Sequence, residues 1–452
     1  MSAHKRKRGL VRRLHERTGA PAHAVAHHRR GVALRFARLR ASGLGALAAF
    51  LAVLGPGLLA GLSDDDPAGI TTYSILGTDH GYRLLWIIPA STVLLVQFHL
   101  MAMRIGAATS KGFVGVIRER WGHRWGYAAV VGLVFANFGT ICAEYAGISA
   151  ACSLVGIPPW ISAPISATLI SLVVVLGSFH RVERVLLIVS ATLGLYLLDG
   201  ILATPDWSLV WHNSIVPHAP HDAAGWIAVA ATLGTTLAPW GLAFIQSYAV
   251  DKKITLANLR WERIDVVIGS LLTGLIGLAI AVACAATLYR AGAHIDEASD
   301  AAAALRPLAG PFATALFGTG LLGAALLAAA IVPLATAYSI AEGVGSPASL
   351  DLDSHHFRIF YVAFVILTVA AASVVSLPGL PLIPIIYSSQ VVNAVMLPLH
   401  VIALQLLARD PKVMGDSRSG RVSTITGWMS ILLILSCISA LVWSWIGASA
   451  SS

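Results

Sequence analysis

Long apolar stretches recur along the whole chain, and they constrain its fold more than any other feature. Eleven of them can be traced, the first starting at residue 44 and the last ending at residue 446. A helical run of about twenty apolar residues spans the hydrocarbon core of a bilayer. Because 57% of the residues are hydrophobic and only 12% are charged, the composition also lies outside the range of soluble domains. We therefore predict an all-α polytopic membrane protein.

The predicted spans and the charges between them give a topology. The first span covers 44–62 and continues into the apolar run that follows, and the others cover 84–103, 127–154, 159–176, 186–203, 226–250, 266–288, 311–341, 357–375, 383–407 and 425–446. Loops rich in Lys and Arg follow spans two, four, six and ten, and basic loops mark the cytoplasmic side. The topology predicts a protein of the plasma membrane with a cytoplasmic amino terminus and an external carboxyl terminus.

A basic segment, 1–43, precedes the first span. It holds twelve Lys and Arg residues against one acid, Glu16. Beside a membrane helix such a segment is typical of a cytoplasmic topology signal that touches anionic lipid. We expect it to be disordered, and we favour this interpretation over binding of nucleic acid.

Residues 63–72, Ser-Asp-Asp-Asp-Pro-Ala-Gly-Ile-Thr-Thr, interrupt the apolar run of the first span. Ionised carboxylates at membrane depth cost several kcal/mol unless they are solvated, paired or bound to a cation. Pro67 removes a backbone donor and Gly69 adds conformational freedom where a helix would otherwise continue. The stretch predicts a helix that is broken in mid-membrane around a cation site.

A second interruption, Ala238-Pro-Trp-Gly241, lies in the sixth span, five spans after the first. An odd number of intervening spans gives the two halves opposite orientations, and paired broken helices in inverted halves indicate the substrate site of a secondary transporter. The alternative is two ordinary proline kinks, which are common in membrane helices. The carboxylates at the first break favour a site.

The acids and carbonyl groups at these breaks are the candidate ligands. Asp66 directly precedes the proline and is the first choice, whereas Asp65 and Asp64 point to other faces of the chain, where one of them caps a helix or lines an external vestibule. The second break offers carbonyl oxygens such as that of Thr235, without sulfur or imidazole. Hard oxygen donors of this kind suit Mg²⁺ or Mn²⁺ better than copper or zinc.

Two further polar features lie within apolar spans, and each has two interpretations. The tenth span carries Ser389, Gln390 and Asn393 close together, either as metal-facing groups or as bridges between helices. Glu144 in the third span is either a proton site or a partner for a neighbouring helix.

Short motifs in a fixed order resemble the NRAMP family of divalent-metal transporters over roughly 55–415. They are Gly55-Pro-Gly57, Asp66-Pro67, Arg83-Leu-Leu-Trp86, Arg104-Ile-Gly106, Ala143-Glu144, Ser389-Gln-Val391 and Lys412-Val-Met-Gly415. The resemblance implies a LeuT-type fold of 5+5 inverted repeats, with helices 1 and 6 broken at the substrate site. It divides the chain into a tail (1–43), a transporter core (44–407, with repeats 44–203 and 224–407) and a loop with the eleventh helix (408–452).

The resemblance also implies a set of site residues. The metal would be held by Asp66, with Asp65 as a further candidate, by the carbonyls of Ser63 and Thr235, and by the Gln390 side chain. The residues expected to line the pocket are Asp64, Gly69, Ala238, Trp240, Gly241 and Asn393.

Several positions depart from the family pattern. Gly69 stands in place of the usual Asn ligand, Ala238 in place of a Met, and Trp240 in place of a His. These losses resemble the divergent prokaryotic branch of NRAMP-related magnesium transporters. Without the thioether, selection against hard ions weakens, and loss of the imidazole removes a plausible proton relay.

We therefore expect transport of Mg²⁺ or Mn²⁺ by alternating access, without proton coupling. The nearest alternative is a proton-coupled manganese or iron importer. An amino-acid carrier of the same fold is disfavoured because the acids at the first break would repel a substrate carboxylate. No enzymatic activity, cofactor, nucleic acid or obligate protein partner is expected.

Overall fold

The computed structural model of this chain describes residues 66–176, 194–251, 253–256, 259–346 and 358–451. Every regular element in these ranges is helical. The predictions for Ser63, Asp64 and Asp65, and those for the basic tail, lie outside the described residues.

The helices are numbered in chain order. They are α1 (Pro67–His80), α2 (Ile87–Thr109), α3 (Phe113–Trp121), α4 (His123–Ser153), α5 (Pro159–Val175), α6 (Tyr196–Leu202), α7 (Trp207–Ile215), α8 (Ala223–Thr236), α9 (Pro239–Asp251), α10 (Leu259–Cys284, extended by a π-helical turn at Ala285–Tyr289), α11 (Ala298–Ala303), α12 (Arg306–Ala309, followed by a 3₁₀ turn at Gly310–Phe312), α13 (Ala313–Val344), α14 (Arg358–Val375), α15 (Leu382–Arg409), α16 (Pro411–Met414, followed by a 3₁₀ turn at Gly415–Ser417) and α17 (Arg421–Ser451).

Within the described ranges, seven helical segments are long and apolar enough to cross a membrane. They are Ile87–Thr109, His123–Ser153, Ala223–Asp251, Glu262–Tyr289, Arg306–Val344, Leu382–Arg409 and Arg421–Ser444, and two shorter apolar helices are Pro159–Val175 and Ile359–Val375. Together they match nine of the predicted spans. The first and fifth predicted spans fall partly outside the described residues, where α1 and α6 are their described parts. The all-α polytopic fold is confirmed.

The sixth span is broken where the sequence predicts. Helix α8 ends at Thr236 and α9 begins at Pro239, with Leu237 and Ala238 outside both helices. Pro239 has no backbone N–H to continue the ladder of α8, but as a first helical residue it suits the start of α9. Helix α1 begins in the same way, at Pro67 after the extended backbone of Asp66.

Glycines let the helices around these breaks approach closely. A Cβ atom on Gly234 of α8 would lie 1.9 Å from the carbonyl oxygen of Gln390 in α15. One on Gly147 of α4 would lie 2.4 Å from the Pro67 ring at the start of α1. Small residues at such crossings bring backbones together in membrane proteins. The start of α1 is therefore packed against α4, and the end of α8 against α15.

Candidate metal-binding site

Asp66 is fixed at the start of α1 as its N-cap residue. Its Oδ1 accepts a hydrogen bond of 2.7 Å from the Gly69 N–H, and its backbone carbonyl accepts from the Ile70 N–H at 2.9 Å. Aspartate is among the preferred N-cap residues because its side chain satisfies a donor that the helix leaves free. The residue is only 4% exposed. The sequence therefore holds a carboxylate in a defined orientation at the first break.

Glu144 of α4 lies beside the Asp66 carboxylate. It is fully buried, and neither of its carboxylate oxygens has a hydrogen-bond partner of ordinary geometry. The Gly147–Pro67 contact one turn along α4 explains how the two acids come together. The side chain that α1 presents to Glu144 is thus a second acid, and both interpretations of Glu144 stay predictions. Two adjacent buried carboxyls demand a proton or a cation.

The second break contributes oxygens without charge. In an α-helix the Thr235 carbonyl would accept from residue 239, and Pro239 has no N–H to donate. The Thr235 hydroxyl is buried without a hydrogen-bond partner, and so is the Trp240 indole N–H. Ala238 and Gly241 next to them add no polar side chain. This side of the site therefore offers carbonyl and hydroxyl groups, and a free donor that can hold water.

Side chains on α15 form a network that reaches α4. Asn393 Nδ2 donates to Thr140 Oγ1 at 2.9 Å and to Gln390 Oε1 at 3.0 Å. Gln390 Nε2 donates to Ser389 Oγ at 2.6 Å, and the side-chain oxygen Oδ1 of Asn393 has no partner. The cluster therefore bridges α15 and α4. The backbone of Gln390 lies against Gly234, the residue before Thr235.

Helices α1 and α2 are hydrogen-bonded to the end of α8 at the second break. Tyr73 of α1 and Thr236 of α8 are joined by a hydrogen bond of 3.0 Å between their hydroxyls. Ser91 of α2 donates to the same threonine hydroxyl at 3.2 Å. Among the described residues, Asp66 lies beside Glu144, Asn393 bonds to Thr140 one turn before Glu144, and Gln390 packs against Gly234 next to Thr235. Gly69 contributes its backbone N–H, which donates a hydrogen bond to the capping side chain of Asp66.

Sequence reasoning missed one acid that joins three helices. Glu342, near the end of α13, binds Ser247 of α9 and the backbone of Gly115 in α3. Its position as an acid at the end of the eighth predicted span was the available signal. Within the described ranges, no group of three or more His, Cys, Asp or Glu side chains has the arrangement of a metal site.

A helical bundle in which two broken segments meet beside a buried acid is the architecture of LeuT-type secondary transporters. The chain belongs to the Nramp family, because the family described as "Natural resistance-associated macrophage protein-like" matches residues 57–444. It is accordingly a multi-pass membrane transporter and not an enzyme. The resemblance seen in the sequence motifs is confirmed.

Relatives of known name share most of the chain. The divalent metal cation transporter MntH of Deinococcus radiodurans is 27% identical over 426 residues, covering 88% of this chain and 91% of the relative. MntH of Burkholderia ambifaria is 24% identical over 411 residues, covering 88% and 90%. A crystal structure of the manganese transporter of Eremococcus coleocola superposes with a TM-score of 0.66 at 21% identity and covers 90% of both chains. This last likeness shows that the fold is shared.

Proposed function

We propose that this protein carries divalent metal cations across the membrane by alternating access, with Asp66 as the principal ligand. The observation that carries the proposal is the buried Asp66 carboxylate, which is capped at the first break and lies beside Glu144. A charge at this depth is retained for function by default. The names of the MntH relatives point to the same class of substrate.

We propose Mg²⁺ or Mn²⁺ as the transported ion. The groups around the site are hard oxygens, with the Asp66 carboxylate, the free Thr235 carbonyl and the Gln390 amide as ligands. The Ser63 carbonyl and the carboxylate of Asp65 are proposed as further ligands, and Asp64 as part of the vestibule. Mg²⁺ gives up its water reluctantly, and the unpartnered Thr235 hydroxyl can accept a hydrogen bond from that water. The absence of a thioether at Ala238 removes a preference for softer ions.

We propose that uptake follows the electrochemical gradient without proton coupling. The position that would extend a proton relay from the second break is Trp240, which does not titrate. A membrane potential of 100 mV favours entry of a doubly charged ion by about 4.6 kcal/mol, at about 2.3 kcal/mol per charge. The second candidate is a proton-coupled manganese importer, which the adjacency of Glu144 and Asp66 favours.

We also propose a cytoplasmic amino terminus, an external carboxyl terminus and the bacterial cytoplasmic membrane as location. The basis is the recurrence of basic loops on one side of the predicted spans. The basic tail would lie near anionic lipid on the cytoplasmic side.

The test is uptake by reconstituted liposomes. Purified protein is incorporated into vesicles that contain a pH-sensitive dye, and entry of Mg²⁺ and Mn²⁺ is followed with and without a pH gradient. We expect uptake of both ions without acidification of the lumen, and its loss in Asp66→Ala. The matched control is Asp206→Ala, because Asp206 is also a helix N-cap but lies exposed at the start of α7.

The outcomes separate the alternatives. Acidification that accompanies metal entry would establish the proton-coupled importer instead. Normal uptake by Asp66→Ala would overturn the site, and no uptake of either ion by the parent protein would overturn the proposed substrate class.

A further inference from the structure

Glu342 joins three helices through one carboxylate. Oε1 accepts a hydrogen bond of 2.9 Å from the Ser247 hydroxyl of α9. Oε2 accepts one of 3.2 Å from the Gly115 N–H in the first turn of α3. Because Glu342 itself belongs to α13, a single side chain fixes the positions of α3, α9 and α13 relative to one another.

The backbone around this carboxylate is shaped to receive it. A Cβ atom on Gly112, the residue before α3, would lie 1.7 Å from Glu342 Oε1. Helix α3 has no side-chain cap of its own, so the Glu342 carboxylate supplies an acceptor for its free N–H groups from another helix. The positive end of the helix dipole favours an anion at that position. The contact is therefore a built connection, since a larger residue at 112 would exclude it.

A second bond runs parallel to the first. Gln246, the residue before Ser247, donates from Nε2 to the Lys111 carbonyl at 3.0 Å. A Cβ atom on Gly106 of α2 would lie 2.7 Å from the Gln246 carbonyl oxygen. Two consecutive residues of α9 thus hold the connection between α2 and α3, one directly and one through Glu342.

These contacts bear on transport because α9 is continuous with the second break. Ser247 lies eight residues beyond Pro239, a distance of about 12 Å along the helix at 1.5 Å per residue. Any change in the orientation of α9 at Ala238 therefore moves Ser247 relative to Glu342. A hydrogen-bonded link between elements that must move apart sets the balance between their two arrangements.

We infer that Glu342 is a positioning residue for transport: its bond to Ser247 holds α9 against α3 and α13, and the bond breaks when α9 moves away. The inference rests on the proposed alternating-access function, but it concerns a group that does not touch the ion. It deepens that function by naming the connection whose strength governs the conformational equilibrium.

The first test measures detachment of α9 directly. Ala249 is fully buried and lies on α9 two residues after Ser247, so a thiol introduced by Ala249→Cys reports exposure of this part of α9. The four native cysteines are replaced in this background; they are Cys142, Cys152, Cys284 and Cys437. The rate of reaction with N-ethylmaleimide is measured in lipid nanodiscs, where no transport is required.

We expect Ser247→Ala to raise the reaction rate about fivefold, the usual effect of losing one hydrogen bond. Glu342→Gln should raise it by at least as much, because the amide can no longer accept both bonds. Ser247→Thr should restore the parent rate. The matched control is Ser339→Ala, because this buried hydroxyl of α13 bonds only to Ala335 of its own helix, and it should leave the rate unchanged.

The second test separates positioning from ion binding. In uptake assays with Mn²⁺, Ser247→Ala should change the maximal rate while the KM stays within about twofold, since the ligands at Asp66 are untouched. Equal labelling in the parent, Ser247→Ala and Glu342→Gln would overturn the inference, as would an equal rise in Ser339→Ala. If Asp66→Ala loses uptake while the parent, Ser247→Ala and Glu342→Gln label equally, the proposed function holds and the inference about Glu342 fails.

Discussion

The two breaks use one backbone device with different side chains. In each, the helix that follows begins with a proline, Pro67 in α1 and Pro239 in α9. The residue before Pro67 is an aspartate that caps its helix, whereas the residue before Pro239 is Ala238, which offers no side-chain acceptor. The two helices therefore begin with the same residue type, but only the first has an acidic side chain at its start.

This difference assigns separate tasks to the two halves. The amino-terminal end of a helix carries partial positive charge and would by itself repel a cation. At α1 the Asp66 carboxylate reverses that charge, while at the second break the carbonyl end of α8 faces α9. In the proposed site, one half would thus supply the charge and the other half neutral dipoles.

The largest effect is expected from removing the charge while keeping the cap. In Asp66→Asn the amide oxygen can still accept from Gly69 N–H, because Asn is as good an N-cap as Asp. We expect uptake of Mg²⁺ and Mn²⁺ to fall about tenfold or more, since interactions with charged groups are worth roughly 1.5–3 kcal/mol. Thermal unfolding should stay close to that of the parent. A smaller loss than in Glu144→Gln would reverse the assignment of the principal ligand.

A second large effect compares the packing behind the two breaks. An added methyl group in Gly234→Ala meets the Gln390 backbone oxygen at 1.9 Å, whereas one in Gly147→Ala meets side-chain atoms of Pro67 at 2.4 Å. We expect Gly234→Ala to cost more than about 2 kcal/mol of unfolding free energy, and Gly147→Ala less, because overpacking against backbone cannot relax easily. Melting of the purified variants measures both. Gly132→Ala, with its nearest contact at 3.4 Å, is the control.

A smaller change is expected when the neutral break receives a soft ligand. Ala238→Met places a thioether where the chain has a methyl group, and soft donors favour transition metals over Mg²⁺. We expect the preference for Mn²⁺ over Mg²⁺ to rise by about tenfold, or about 1.4 kcal/mol, in competition uptake. Ala238→Leu has similar bulk without sulfur and serves as control. If both variants alter the preference equally, size rather than ligand type controls selectivity at this break.

The fold was predictable because its main signal is local. Apolar runs of membrane-spanning length match α2, α4, α5, α10 and the later long helices within a few residues. Proline marks the break at Ala238 because it lacks a backbone N–H. The Asp66 cap was not predicted as such, but it follows from the same local chemistry. The predictions for Ser63, Asp64 and Asp65 stay predictions.

The relations between distant residues were not predictable. Glu144 had two interpretations because only the Gly147–Pro67 contact brings it beside Asp66. Glu342 was missed because its partners lie 95 and 227 residues away in sequence. Hydropathy and spacing say which side chains are buried in a membrane, and tertiary packing decides which of them meet.

The cap on Asp66 has a consequence for the return step of the transport cycle. A carboxylate that keeps the Gly69 N–H as a neighbour still has a donor when the cation departs. Because Gly69 belongs to the same helix as the cap, its N–H moves together with the Asp66 carboxylate when α1 moves. We therefore expect Asp66 to keep this hydrogen bond and its orientation after the cation leaves, while the pair it forms with Glu144 still requires a proton or a cation.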